Sequence, residues 1–342
     1  MMVPRETAAD GFTERKLGLR MRPDLQIQPQ SFRGRRYWVV KDPVALKYFH
    51  LRDEEHAVLR MLDDASSLEE LQRGYQERFA DRRVTLPRLQ RFLGTLHRKG
   101  LLLADGPGQA RFLAERQTEQ RKQLRRERWS NPLAIRLPGI DPESGLRRLA
   151  PGFAWFFSPP TVLAGAFLGL LAILLMVVQL DRLSIALSES GRFYTAANLV
   201  WLIVVMAAVK ILHEFGHALA CKHFGCECHE LGLMLLVFTP CLYCDVSDAW
   251  LLPSKWRRIF ISAAGIYVEW FLFAAAAILW RFSEPGLFNS LCLNLVIVCS
   301  VSTLVFNGNP LMRFDGYYIL SDLIEVPNLR QRSQAALQRI LA

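Results

Sequence analysis

Long apolar runs dominate the second half of the chain, and four of them have the length of a membrane span. Residues 160–180 and 193–209 carry no charged side chain, residues 259–280 carry only Glu269, and residues 287–306 are uncharged. About 20 apolar residues in a helix cross the hydrocarbon core of a bilayer. The pattern therefore predicts four transmembrane helices, the second of which continues as a helix through the sequence HEFGHALA.

A shorter apolar run, residues 231–244, is broken by Pro240 and lies between the second and third predicted spans. Non-helical backbone is tolerated at membrane depth only where other protein covers it. We therefore expect this run to form a re-entrant hairpin among the helices rather than a fifth span.

The first third of the chain shows shorter amphipathic patterns. Residues 1–36 are rich in Arg, Pro and Gln without clear periodicity, and we interpret them as a flexible or partly extended lead-in. A short strand is expected from Tyr37. Three helical patterns follow, in residues 51–64, 66–80 and 85–100. Three small helices with flanking strands predict a winged-helix-like domain over residues 37–105.

Residues 106–158 form the most basic stretch, in which Trp129, Trp155 and Phe156 are interspersed among arginines. Such a juxtamembrane segment is typical of a chain lying along anionic lipid, but a solvated helix leading to the membrane has the same charge pattern. Both interpretations stay open. The predicted transmembrane core then covers residues 159–325, and residues 326–342 are expected to form an amphipathic tail.

Composition and charge favour a membrane protein with one basic side. The 342 residues are 51% hydrophobic with a mean hydropathy of +0.14, which is more than a soluble core needs. Residues 1–150 hold 30 of the 42 Lys and Arg but only 20 of the 32 Asp and Glu. Because basic segments stay on the cytoplasmic side, we expect a multi-pass protein of the cell inner membrane.

The N-terminus is expected to lie in the cytoplasm without a cleaved signal peptide, because charges stand where a signal would need an apolar core. The arginines precede apolar runs instead of clustering on one recognition element. We therefore do not expect nucleic acid as a partner.

Two histidines near the end of the second predicted span indicate a metal site. His213 and His217 lie four residues apart, so they project from the same face of a helix, and Glu214 beside them can take a proton from a water molecule at the metal. Two imidazoles and a carboxylate are costly in an apolar helix unless a cation such as Zn²⁺ compensates them.

Asp315 is the expected third ligand, because a catalytic zinc site takes three protein ligands and leaves one position open. It follows the helix-breaking residues 307–310, and Gly316 allows a tight turn beside it. A helix cap is the alternative interpretation of this carboxylate. The orientation set by the basic residues places His213, His217 and Asp315 toward the cytoplasmic ends of their helices.

Two motifs, H-E-F-G-H and the stretch N-x-x-P-x-x-x-F-D-G from Asn307 to Gly316, resemble the site-2 protease (M50) family of intramembrane metallopeptidases. The resemblance covers about residues 195–320, and Phe314 stands where the family usually has Leu. It implies a mainly α fold with a polytopic transmembrane metalloprotease core and one zinc ion per chain. The implied site residues are His213, His217 and Asp315 as zinc ligands, Glu214 as general base, and Asn307 as a residue that holds the substrate backbone or the oxyanion.

Residues 37–105 are similar to the small PqqD-like winged-helix modules that accompany peptide-maturation enzymes. Together the two resemblances point to a bacterial M50 subgroup associated with peptide export or maturation. They imply membrane lipid, a peptide or membrane-protein substrate and a membrane-fusion-type adaptor subunit as partners. Longer members of the subgroup continue past the equivalent of Ala342, so a truncation or a separately encoded partner stays open.

Cysteines crowd into the region after the histidine motif. Cys241 and Cys244 have the spacing of half a metal site or of a redox pair. Other possible ligands nearby are Cys221, His223, Cys226, Cys228 and His229. Reduced, half-buried thiols are the alternative interpretation.

Four further charged residues have no assigned role. Lys210 and Glu269 lie within the predicted spans, where each is paired, functional or reaching toward the interface. Asp245 and Asp248 are turn residues or reserve ligands.

Two functions fit these features. The first is a zinc metallopeptidase that cuts membrane-associated or exported peptides, and the second is a non-proteolytic zinc-binding subunit of a peptide export or maturation complex. Glu214 favours the first, because a binding module needs the ligands but not the base. A membrane-tethered transcription regulator is disfavoured, since no basic recognition helix stands out.

Overall fold

The computed structural model describes residues 17–32, 34–63, 67–104, 134–137, 139–188, 195–236, 239–326 and 329–341. They belong to two compact units, Met1–Glu127 and Arg128–Ala342. The chain is mainly α-helical, with strands in the small N-terminal unit and a helical core in the larger one.

Strands and three short helices make up the described part of the N-terminal unit. In chain order, its elements are β1 (Leu19–Met21), β2 (Gln26–Phe32), β3 (Arg35–Asp42), β4 (Lys47–Arg52), α1 (Asp53–Met61), α2 (Leu68–Arg78), α3 (Leu86–Lys99) and β5 (Leu102–Ala104). Strands β2, β3 and β4 form an antiparallel sheet, and β1 pairs antiparallel with β5. The three helices expected from the amphipathic patterns and the strand expected at Tyr37 are confirmed.

Local signals set the ends of these helices, and one apolar cluster holds them together. Ser67 Oγ accepts a hydrogen bond from the Glu70 amide (3.2 Å) at the start of α2. Gly100, with φ +74°, ends α3 in the left-handed region that favours glycine. The helices pack on the sheet through Val40, Leu51, Val58, Leu59, Leu71, Leu89 and Leu93.

Of the lead-in at residues 1–36, expected to be flexible or partly extended, residues 19–21 and 26–32 lie in paired strands. Strand β2 pairs with β3 along its full length. Arg22 is buried and donates to Asp42 (2.9 Å) and to the Gly100 carbonyl (2.9 Å). Because β2 is an edge strand with mostly exposed side chains, its sequence lacks the apolar alternation that signals a strand. Residues 1–16 lie outside the described residues.

Helices dominate the larger unit. In chain order, its described elements are β6 (Ala134–Arg136), α4 (Glu143–Phe153), α5 (Pro159–Val178), α6 (Leu180–Ser188), α7 (Ala196–His223), β7 (Leu231–Leu236), β8 (Thr239–Cys244), α8 (Lys255–Phe282), α9 (Leu287–Val301), a π-helical segment (Ser302–Asn307), α10 (Asp315–Leu323) and α11 (Leu329–Leu341).

Four helices are long and apolar enough to cross a membrane. They are α5, α7, α8 and the continuous helix Leu287–Asn307, which joins α9 to the π segment. They coincide with the four predicted runs, and α7 continues through the histidine motif as expected. Leu163, Phe167, Ile203 and Leu304 are all more than half exposed, so the outward surface of these helices is apolar, as lipid contact requires.

Helix α8 lies at the centre of this bundle and contacts α5, α7, α9 and α10. The indole nitrogen of Trp270 donates to the Gly165 carbonyl of α5 (2.8 Å), and Arg258 donates to Asp322 of α10 (2.8 Å). A side chain on α8 can therefore meet groups from several helices at once.

The run at residues 231–244 forms the predicted hairpin, built from the paired strands β7 and β8. Its depth in a membrane stays a prediction. The hairpin continues into a three-stranded antiparallel sheet through β6, and β8 contacts α7.

The described part of the predicted basic juxtamembrane segment, residues 106–158, contains two elements of the larger unit, and its contact with lipid stays a prediction. Ala134–Arg136 is strand β6 of the three-stranded sheet with β7 and β8, and Glu143–Phe153 is helix α4, which contacts α7. The partner of β6 lies about 100 residues later in the chain, so a local pattern could not reveal the pairing. Residues 105–133 lie outside the described residues.

A pH-dependent stability is expected for the N-terminal unit because His56 is buried against Trp38, with ring centroids 3.7 Å apart. Burial, assisted by Arg60, lowers the pKa of His56 from 6.5 to about 4. Between these values the unfolded chain binds a proton at His56 and the folded chain does not. The contribution of His56 to the free energy of unfolding is therefore fully present above about pH 6.5. It decreases by on the order of 2 kcal/mol as the pH falls to 4.

The measurement is urea unfolding of full-length protein labelled with 5-fluorotryptophan, following the ¹⁹F signal of Trp38 at pH 7 and pH 4.5. His56→Gln, which does not titrate in this range, should lose the histidine-dependent part of the shift in midpoint. Equal shifts in wild type and His56→Gln would contradict the assignment.

Candidate metal centre

Three side chains from two helices meet at one point near the end of α7. His213 and His217 share one face of α7, and their Nε2 atoms lie 3.1 Å apart. Asp315, the first residue of α10, brings Oδ2 to 3.1 Å from His213 Nε2 and Oδ1 to 3.4 Å from His217 Nε2. Donor atoms of all three lie within 4.8 Å of one another. The structure thus brings together the three residues that the sequence singles out as ligands.

The hydrogen bonds behind the imidazoles leave both Nε2 atoms directed at this point. His217 Nδ1 lies 2.8 Å from the Ile261 carbonyl, and His213 Nδ1 lies 2.9 Å from Glu269 Oε1. Since both neighbours accept, the neutral tautomer that fits these contacts carries its proton on Nδ1 and presents a lone pair on Nε2. Two lone pairs at this separation repel unless a cation lies between them. Among the described residues, buried Asp315 Oδ2 also has no hydrogen-bond partner.

This donor set fits zinc. Two imidazole nitrogens and one carboxylate oxygen are a common catalytic zinc set, which leaves a fourth position for water or substrate. The orphaned carboxylate oxygen and the two facing lone pairs are the features that a divalent cation would satisfy.

Gly265 of α8 makes room for the imidazoles. A Cβ atom at this position would lie 2.3 Å from His213 Nε2 and 2.5 Å from His217 Nε2, which no ordinary packing allows. The absence of a side chain here lets α8 approach α7 closely enough to cover the two rings.

Glu214, the predicted base, follows His213 on α7 and is partly buried. It lies within electrostatic reach of His213, His217, Asp315 and Lys210. A carboxylate beside the candidate ligands that retains some exposure is accessible to water. Its role as a general base stays a prediction.

Lys210 and Glu269, which had no assignable partner in the sequence, bind each other. Lys210 Nζ lies 3.1 Å from Glu269 Oε1 and also donates to Ser302. Glu269 is fully buried and contacts the candidate ligand His213. In the sequence, Glu269 stands out as the single charged residue of the run at residues 259–280, but this isolation does not indicate a role.

Asn307 has different neighbours from those its motif suggests. Its amide nitrogen donates to Glu269 Oε1 (3.0 Å) and to Ser302 Oγ (3.1 Å), and lies 3.4 Å from His213 Nδ1. The side chain is buried. The structure thus directs the Asn307 amide nitrogen toward Glu269, and a contact with substrate or oxyanion stays a prediction.

The structure does not place Cys241 and Cys244 next to each other as a pair, and a metal or redox role for them stays a prediction. Both lie on β8, where residues three apart face opposite sides of the strand. Cys244 Sγ instead lies 3.2 Å from the buried Cys228 Sγ. The hydrogen bond with Cys228, together with burial, raises the pKa of the Cys244 thiol. Cys241 and Cys244 are both free thiols in the structure, in line with the alternative interpretation as reduced cysteines.

The reserve ligands Asp245 and Asp248 both accept hydrogen bonds from backbone amides. Asp245 accepts a hydrogen bond from the Ser247 amide (3.0 Å), and buried Asp248 accepts one from the Glu227 amide (2.8 Å). The local contact of Asp245 agrees with its interpretation as a turn residue, whereas Asp248 connects its segment to Glu227, 21 residues earlier.

Comparison with known proteins gives one informative relative. The chain is 26% identical over 157 residues to the protein of Bacillus subtilis (strain 168) named "Putative peptide zinc metalloprotease protein YydH". The similarity indicates a relationship to metalloproteases. The aligned part is 45% of this chain, which spans 60% of that relative's length. No family model matches the chain, and no solved structure matches it.

A methyl group at Gly265 should disrupt metal binding while sparing the fold. In Gly265→Ala the new Cβ displaces both Nε2 atoms, so we expect zinc content to fall by about tenfold or more, although alanine is the better helix former by about 1 kcal/mol. The measurement is the number of zinc ions per chain by inductively coupled plasma mass spectrometry, and circular dichroism tests whether the variant is folded.

Gly94→Ala is the matched control, because a Cβ at this position in α3 meets nothing within 4 Å. It should leave zinc content unchanged. A folded Gly265→Ala protein that keeps wild-type zinc content would contradict the close approach of α8 to the ligands.

Proposed function

We propose that this chain is a membrane-embedded zinc metalloendopeptidase, similar to the site-2 protease (M50) family, that hydrolyses peptide bonds of membrane-associated or exported peptides. The observation that carries the proposal is the convergence of His213, His217 and Asp315 with Glu214 beside them. The relative named as a zinc metalloprotease supports the chemistry, and the four long apolar helices support the location.

The proposed mechanism assigns separate tasks to the site residues. His213, His217 and Asp315 would hold one zinc ion, which when bound would polarise the scissile carbonyl and activate the attacking water. Glu214 would remove the proton of that water as it attacks and then return the proton to the leaving amine. A helical substrate would need local unwinding, because its carbonyls are otherwise hydrogen-bonded.

The proposed setting follows from charge. The basic excess of residues 1–150 supports a cytoplasmic N-terminus in the cell inner membrane, with the ligands toward the cytoplasmic side. The proposed partners are lipid, the peptide substrate and a membrane-fusion-type adaptor subunit.

Removing the base and removing a ligand should have different effects. In Glu214→Gln the three ligands remain, so we expect near-stoichiometric zinc and a cleavage rate lowered by about 10²-fold or more. In Asp315→Asn we expect loss of zinc and of cleavage. The measurements are zinc per chain and release of fragments from fluorescein-labelled casein by detergent-purified protein, since unfolded casein needs no helix opening.

Asp181→Asn, which removes an exposed carboxylate on α6, is the matched control and should change neither quantity. Full zinc content in Asp315→Asn would overturn the ligand assignment. Bound zinc without casein cleavage by wild type would instead support the non-proteolytic zinc-binding subunit.

A further inference from the structure

A buried carboxylate lies behind the candidate metal centre. Glu269 has no exposed surface and lies within α8, one of the helices long and apolar enough to cross a membrane. Ionised side chains in such surroundings are expensive and are kept where partners compensate them. The free-energy cost of burying an ionised carboxylate suggests that Glu269 does more than pack against its neighbours.

Among the described residues, the hydrogen-bond and ion-pair partners of this carboxylate are all donors. Glu269 Oε1 lies 2.9 Å from His213 Nδ1 and 3.1 Å from Lys210 Nζ, and it accepts from Ser302 Oγ (2.9 Å) and Asn307 Nδ2 (3.0 Å). Glu269 Oε2 accepts from Thr303 Oγ1 at 2.6 Å. This set of donors fits a carboxylate that is held ionised and in one orientation.

The π-helical segment supplies three of these donors from one short stretch. The Gly308 amide donates to the Thr303 carbonyl (2.7 Å), a bond that spans five residues and widens the turn. The wider turn lets Ser302, Thr303 and Asn307 face Glu269 together. Such π-turns inside helices are frequent at functional sites.

Lys210 offsets the charge that Glu269 adds. With a divalent cation on the three ligands, the charges of Glu214, Glu269 and Asp315 are balanced by the cation and Lys210 together. Without Lys210 an uncompensated negative charge would remain among apolar helices. Lys210 and His213 lie three residues apart on α7, so both reach the same carboxylate.

We propose that Glu269 is the positioning residue of the metal ligand His213, and that Lys210 keeps its charge balanced. Glu269 accepts the Nδ1 proton, which fixes the ring orientation and the tautomer that directs Nε2 to the metal. The role rests on the proposed zinc site. It adds a residue outside the histidine and aspartate motifs to the machinery.

The test compares zinc affinity and apo-protein stability in Glu269→Gln, which keeps the size and one acceptor oxygen but removes the charge. We expect the zinc dissociation constant, measured by competition with a fluorescent chelator, to rise by about 10- to 100-fold. We also expect a changed visible spectrum of the cobalt-substituted protein, which reports ligand geometry. Glu269→Asp, which keeps the charge but shortens the reach to His213, should weaken zinc less than Glu269→Gln does.

Asn294→Leu is the control for loss of a buried polar contact between two helices of the same bundle. Asn294 of α9 donates to Asn198 of α7 (2.9 Å), far along the helix from Asn307. This variant should lower the thermal midpoint of the apo protein without changing zinc affinity or the cobalt spectrum.

Two results would overturn the role of Glu269. Wild-type zinc affinity and an unchanged cobalt spectrum in folded Glu269→Gln would reduce the residue to a structural ion pair. A lower thermal midpoint of the apo protein as the only effect of Glu269→Gln would lead to the same conclusion. A wild-type chain that binds no zinc would instead contradict the proposed function, and this role with it.

Discussion

The burial of charged and polar groups among apolar helices is the constraint on which the larger unit depends. His213, His217 and Asp315 place two nitrogen lone pairs and a carboxylate within one small space, and Glu269 lies directly behind them. Such a group is tolerated only if each atom finds a donor, an acceptor or a cation. The close approach of α8 at Gly265 serves this requirement.

The bundle centre and the candidate site coincide because α8 contacts the other helices of the core. It presents Gly265 to the imidazoles and Glu269 to α7 and the π segment. A metal ion at this place would link α7 and α10, whose ligands lie about 100 residues apart in the chain. Metal affinity and the packing of these helices should therefore be coupled.

The hydrophobic periodicity of the sequence predicts the helices, because helix formation depends on residues close together in the chain. The four long apolar helices, the three small helices and the shared helix face of His213 and His217 follow from periodicity and composition. The partners of Glu269 lie 33 to 59 residues away, and the thiol facing Cys244 is Cys228, so no spacing rule could find them. Edge strand β2 was missed because its exposed side chains carry no apolar alternation.

X-ray absorption at the zinc edge of the purified wild-type protein tests the central claim most directly, because it identifies the atoms bound to the metal. The account predicts a shell of nitrogen and oxygen at about 2.0 to 2.1 Å with the outer-shell scattering of two imidazoles. A sulfur shell at about 2.3 Å would place the zinc on the cysteines instead and would contradict the assignment to His213, His217 and Asp315.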